Sequence, residues 1–135
     1  MKEILFDANA IISYLTDRNL GQQKIVEPYI LKAANLEIEI LILGTVLNDT
    51  VYVLNKVYNI PYEDIKGALN KLIQTPGIKI IQDLEIDEIL KIWPDKVYDF
   101  SDAFIGAYCL KYRISVLTFD RDLKKELLSL KVKAL

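Results

Sequence analysis

The chain has 135 residues, no histidine and one cysteine, Cys109. These absences exclude Ser-His-Asp and Cys-His nucleophile systems, His-bearing metal sites, an internal disulfide and a thiolate-built zinc or iron-sulfur centre. Nineteen acids against 17 bases leave a net charge of −2, so a hard-cation site has to be built by gathering carboxylates locally. The length fits one domain over 1–135, and 52% hydrophobic with 27% charged residues is a globular composition. No apolar run reaches the roughly 18 residues of a membrane span, and Met1-Lys2-Glu3 leads directly into a strand-like segment. The expectation is a soluble cytoplasmic protein with no membrane contact. Residues 1–102 are net −6 and residues 103–135 net +4, so the last quarter is basic, either as a solvated surface or as a flank facing phosphates.

Strand-like runs fall at Glu3–Phe6, Ile38–Leu43, Ile78–Ile81, Ile114–Thr118 and Lys131–Ala134. Helical patterns separate them. One follows Asp7, with Ile11, Ile12 and Leu15 on a face, and a second runs from Gln22 to Ala34 with Pro28 expected to start or kink it. Thr45 is placed to cap a third, whose stripe is Leu47, Val51, Leu54 and Tyr58. Pro61 opens a fourth that ends near Pro76-Gly77, and a short helix covers Glu85–Trp93. A helix over Ser101–Arg113 presents Ala103, Gly106, Ala107 and Leu110 as a narrow face for packing on a sheet, and Arg121–Ser129 forms the last. Alternation of this kind predicts an α/β fold, a parallel sheet between helical layers, whose ligand crevice lies outside the carboxyl ends of the strands.

That rule gathers four acids on one rim. Asp7 follows the first strand, Asp120 follows the Ile114–Thr118 strand, Asp102 opens the helix leading into that strand, and Asp49 lies about one turn into the helix after the second strand. Each has a plainer role available: Asp7 and Asp102 as helix caps, Asp120 as turn chemistry with Asp122 an equal candidate for the cap, Asp49 as a solvent-facing side chain. Carboxylates crowded together raise one another's pKa unless a cation compensates, and an oxygen-only set favours magnesium or manganese. On this reading Asp7, Asp102 and Asp120 are the metal-holding positions.

Phe6-Asp7-Ala8-Asn9, the run Val46 to Leu54 containing Asn48-Asp49, and Asp99-Phe100-Ser101-Asp102-Ala103 followed by Thr118-Phe119-Asp120 resemble, in order and spacing, the PIN-domain nucleases, in particular the small VapC-like toxins of type II toxin-antitoxin pairs. The resemblance implies a three-layer α/β/α sandwich whose acidic rim binds Mg2+ or Mn2+ and cleaves RNA with a metal-activated water. It implies Asp7, Asp49, Asp102 and Asp120 as the catalytic acids, with Asn9 and Thr118 as supporting polar positions and Asp99 and Asp122 as further acids near the site. Asp49 departs from the Glu usual there, an acid one methylene longer. The resemblance also implies a small antitoxin protein and a homodimer as partners, for which Tyr14 and Tyr29 are candidate contacts. Two other readings stand beside the ribonuclease: a PIN-like module that binds RNA or protein without cutting, and a phosphoacceptor receiver domain with Asp83 as acceptor.

Overall fold

The computed structural model describes residues 1–135. Its elements in chain order are β1 (Lys2–Phe6), α1 (Ala8–Leu15), α2 (Leu20–Ala34), β2 (Ile38–Leu43), α3 (Gly44–Lys56), α4 (Tyr62–Ile73), β3 (Ile78–Ile81), α5 (Ile86–Leu90), α6 (Phe100–Tyr112), β4 (Ser115–Leu117) and α7 (Arg121–Ser129). The four strands form one all-parallel sheet in the order β3-β2-β1-β4, with Ile4 opposite Ile40 and Ser115, and Ile40 opposite Ile78. Ile4, Leu5 and Phe6 of β1 and Ile40 to Leu43 of β2 are all buried, as strands covered on both faces must be. This is the α/β/α sandwich expected from the alternation. The chain steps from β1 to β2 to β3 in one direction and then crosses back to β4 on the far side of β1. The order therefore reverses at β1, and the crevice of such a sheet opens between the carboxyl ends of β1 and β4.

Several local expectations give way to longer-range contacts. Lys131–Ala134 is not a strand; it adds a single parallel bridge, Val116 with Ala134, beside β4. Thr45 does not cap α3. Its backbone N–H donates to Asp83 Oδ2 at 3.3 Å, so the cap comes from the loop after β3. Pro28 lies inside an unbroken α2, which starts earlier than expected because Asn19 caps it through the Gln22 N–H at 3.0 Å. Tyr58 and Leu110 are exposed rather than part of buried stripes. A Cβ built on Gly106 would meet Ile92, Val97 and Leu127, so the small face of α6 at that point packs on the α5 segment and α7 rather than on the sheet. Tyr29 meets the Phe6 ring edge-on at 6.3 Å and is largely a core residue. Of the basic C-terminal residues, Arg113, Lys131 and Lys133 line a hollow with Cys109 beside the start of β4, away from the acidic edge. No helix is long and apolar enough to cross a membrane.

Candidate active site

Asp7 leaves β1 as the ladder ends, its N–H donating to the Leu117 carbonyl at 3.1 Å. It caps α1 through Oδ1, which accepts from the Ala8 N–H at 2.7 Å, and Oδ2 accepts from the Thr118 hydroxyl at 2.6 Å. Thr118 is fully buried, and its one oxygen is saturated: it donates to Asp7 and accepts from the Asp120 N–H at 3.1 Å and from Asn9 Nδ2 at 3.4 Å. Asn9 closes the circle, its Oδ1 accepting from the Phe119 N–H at 3.1 Å. The carboxyl ends of β1 and β4, distant in sequence, are thus locked together by side chains on both.

Asp120 both caps and faces the site. Its Oδ1 accepts from the N–H groups of Asp122 and Leu123 at 2.9 and 3.1 Å, so it, and not Asp122, caps α7. On α6 the cap is Asp99, whose Oδ1 accepts from the Asp102 N–H at 3.0 Å; Asp102 is the third helical residue and its carboxyl is not spent on capping. Asp7, Asn9, Asp49, Asp99, Asp102 and Asp120 line one open cleft of about 450 Å³. Thr118 lies beneath it, and Asp122 falls outside, in an adjoining trough that shares Asp99, Asp102 and Asp120. Sequence reasoning missed Arg18, Tyr52 and Ser101, which also line the cleft. Ser101 directly precedes Asp102 and Tyr52 follows Asp49 by three positions on the same helix, so both were reachable from the acids. Arg18 was not, because the loop after α1 carries it to the cleft.

The electrostatics follow from burial and from crowding without ion pairs. Burial pushes Asp7 up, against the pull of Thr118 and the Ala8 N–H, and the charges of Asp120 and Asp49 add to the rise. Burial also raises Asp49, opposed by the neighbouring Ser101 hydroxyl. Asp102 is pushed up to about 8 by burial and then by Asp7, Asp99, Asp120 and Glu126. The one ion pair in the chain, Lys91 with Glu88 at 3.1 Å, is elsewhere. No three metal-ligating side chains converge closely enough to form a ready-made cage for a cation. The donor chemistry nonetheless fits a hard cation: the donors are oxygens, none of these acids is in an ion pair although Arg18 shares the cleft, and magnesium commonly keeps several waters and takes only one or two carboxylates.

A parallel α/β sandwich with an acid-rimmed cleft at its switch point defines the general class. The PIN domain family model matches residues 4–125, and the chain belongs to that family. PIN domains are generally nucleases, typically metal-dependent. Among solved structures, the crystal structure of PAE2754 from Pyrobaculum aerophilum is similar, with 17% identity and a TM-score of 0.69 over 98% of this chain and 97% of that one. At that identity the likeness speaks to the fold. No curated protein sequence matches. The receiver-domain reading is set aside: the family is PIN, and Asp83 caps α3 through the Thr45 N–H.

Proposed function

We propose that this protein is a metal-dependent endoribonuclease, the toxin of a toxin-antitoxin pair, with Asp7, Asp49, Asp102 and Asp120 as its catalytic acids. The observation that carries the reading is the carboxylate rim at the β1 and β4 ends, none of whose acids is in an ion pair, with Asp102 held at about 8. Asp7, Asp102 and Asp120 would hold Mg2+ or Mn2+, with Asp49 contributing directly or through water. When bound, the cation supplies positive charge against the developing phosphoryl charge and lowers the pKa of water at neutral pH. That chemistry needs no histidine.

The chain's own residues do the positioning. Thr118 and the Ala8 N–H fix both oxygens of Asp7, and the α7 N-terminus fixes one oxygen of Asp120 and leaves the other for the cleft. Asn9 ties the Phe119 backbone to α1, so the two strand ends cannot separate without breaking this circuit. Arg18 and the Ser101 hydroxyl are the polar groups beside the acids that suit a phosphate oxygen. A hollow of about 610 Å³ against α4, lined by Tyr14, Leu15 and Leu72 among others, supports contact with a small antitoxin.

The deciding experiment is Asp7→Asn, assayed on single-stranded RNA with magnesium or manganese. Cleavage is lost while the fold, read by circular dichroism, is kept; full activity in that variant would sink the proposal. Tight RNA binding by the unsubstituted chain with no product at any divalent concentration favours the non-cutting module instead. For the toxin role, the expected observation is a small open reading frame immediately upstream whose product suppresses cleavage.

A further inference from the structure

The inner cleft and the outer trough meet over Asp99, Asp102 and Asp120, and each carries one exposed tyrosine and one cation. Tyr52 and Arg18 belong to the inner cleft, Tyr98 and Lys125 to the outer. The two tyrosines are 62% and 81% exposed, although both lie beside well-packed elements. Tyr98 is held firmly for so exposed a residue. Its N–H donates to Glu126 Oε2 at 2.7 Å and its carbonyl accepts from Trp93 Nε1 at 2.9 Å. Trp93 in turn meets the Phe100 ring edge-on at 4.8 Å, and Phe100 meets Phe104 at 5.2 Å, so the backbone under Tyr98 rests on a packed aromatic base. Tyr52 sits within α3, one turn beyond Asp49.

A rim of acids repels a polyanion, so affinity has to come from elsewhere. Here it is available on both sides of the rim. Arg18 is anchored to the Asn9 carbonyl, Ser13 and Gln22 through Nη2 alone, which leaves its other donors unspent. A ring face stacks on any base, but only on one that is not already stacked in a duplex. We propose that Tyr52 and Tyr98 are base-stacking platforms, holding one base on each side of the phosphodiester that lies over Asp99, Asp102 and Asp120, and so select single-stranded nucleic acid. This assignment rests on the nuclease reading for the position of the phosphodiester.

The test uses the full chain carrying Asp7→Asn, so that the strand stays intact, with magnesium present and a short single-stranded oligoribonucleotide bearing 2-aminopurine at successive positions. Fluorescence is quenched at one position on each side of the site. Tyr52→Ala and Tyr98→Ala each weaken binding about 5- to 140-fold, and Tyr→Trp at either position restores it. Tyr62→Ala, which removes a tyrosine about as exposed as Tyr52 but outside both hollows, leaves binding unchanged. An abasic site at the quenched position makes the matching alanine substitution silent, and the same sequence fully paired binds weakly with or without the tyrosines. The proposal is overturned if the alanine variants bind as tightly as their parent, if the abasic strand still senses the substitution, or if the Asp7→Asn chain binds no single strand. Cleavage by the unsubstituted chain with manganese is read separately. Stacking without product sinks the nuclease reading alone, and product with unimpaired alanine variants sinks the platforms alone.

Discussion

Asp102→Asn removes a strongly perturbed charge of the rim without removing a hydrogen bond of the folded chain, since the Asp99 carboxylate accepts from the backbone N–H of residue 102. The sign follows from proton binding. Near pH 3 the Asp102 carboxyl is protonated in the folded chain and largely so in the unfolded one, and its burial costs little. As pH rises toward about 8 the unfolded chain gives up that proton freely while the folded chain retains it, so stability falls across this window and levels off above it. Moving a carboxyl from 3.8 to about 8 sets an upper bound of about 6 kcal/mol. Solvent screening at a partly buried group reduces that to about 2 to 3 kcal/mol. At this chain length the gain for Asp102→Asn at pH 8 is a rise of roughly 6 to 15 °C in Tm. Thermal melts in chelator at pH 4 and pH 8 check it: the advantage of the variant at pH 4 shrinks to less than about 1 kcal/mol. Magnesium narrows the gap at pH 8 by stabilising the parent more than the variant, while cleavage by the variant is lost. An equal advantage at both pH values, or none at pH 8, refutes the electrostatic account of the rim.

Thr118→Val deletes the hub between Asp7, Asn9 and Asp120; it destabilises the fold by about 1 to 3 kcal/mol and lowers cleavage about 10- to 100-fold, whereas Thr118→Ser keeps most of both, as denaturant melts and initial rates will read. Gly77→Ala places a methyl 2.5 Å from the Ala33 carbonyl oxygen and 2.6 Å from that of Ile38, backbone that cannot yield without moving α2 from β2. The expected loss is about 2 to 3 kcal/mol with the cleft acids untouched, measured by urea unfolding. Cys109 is almost fully buried, and its thiol is pushed up to about 12 by burial and then by Asp7. A thiol reagent at pH 8 therefore labels it only as fast as the chain unfolds; rapid native labelling contradicts this placement.

Much of the rim was legible because its acids sit at element boundaries, and boundaries are marked by short-range chemistry. Asp7 ends a β-rich run and starts a helix, Asp120 does the same, and the parallel alternation places both at one sheet edge. The same short range explains what was missed. Thr45 has the right chemistry for a cap, yet Asp83, 38 positions away, supplies the acceptor at that helix end. Asp122 and Asp120 are indistinguishable as caps on paper, and the choice is made by Asp120 lying next to Thr118. The basic last quarter reads as one flank, but the turn after α7 carries Lys131 and Lys133 to the other end of β4, leaving Lys125 beside the acids.

The missing histidines, the lone cysteine and the strand-end carboxylates were fixed by composition and order, and they exclude histidine and multi-thiolate chemistry from any site this chain builds. Family membership follows from the same linear pattern. Which acids share a cleft, how far Asp102 is driven from its ordinary pKa, and which cation and which tyrosines stand beside it were decided only on folding. Burial and charge repulsion depend on through-space distance, and the order reversal at β1 brings Asp7 and Thr118, 111 residues apart, within one hydrogen bond.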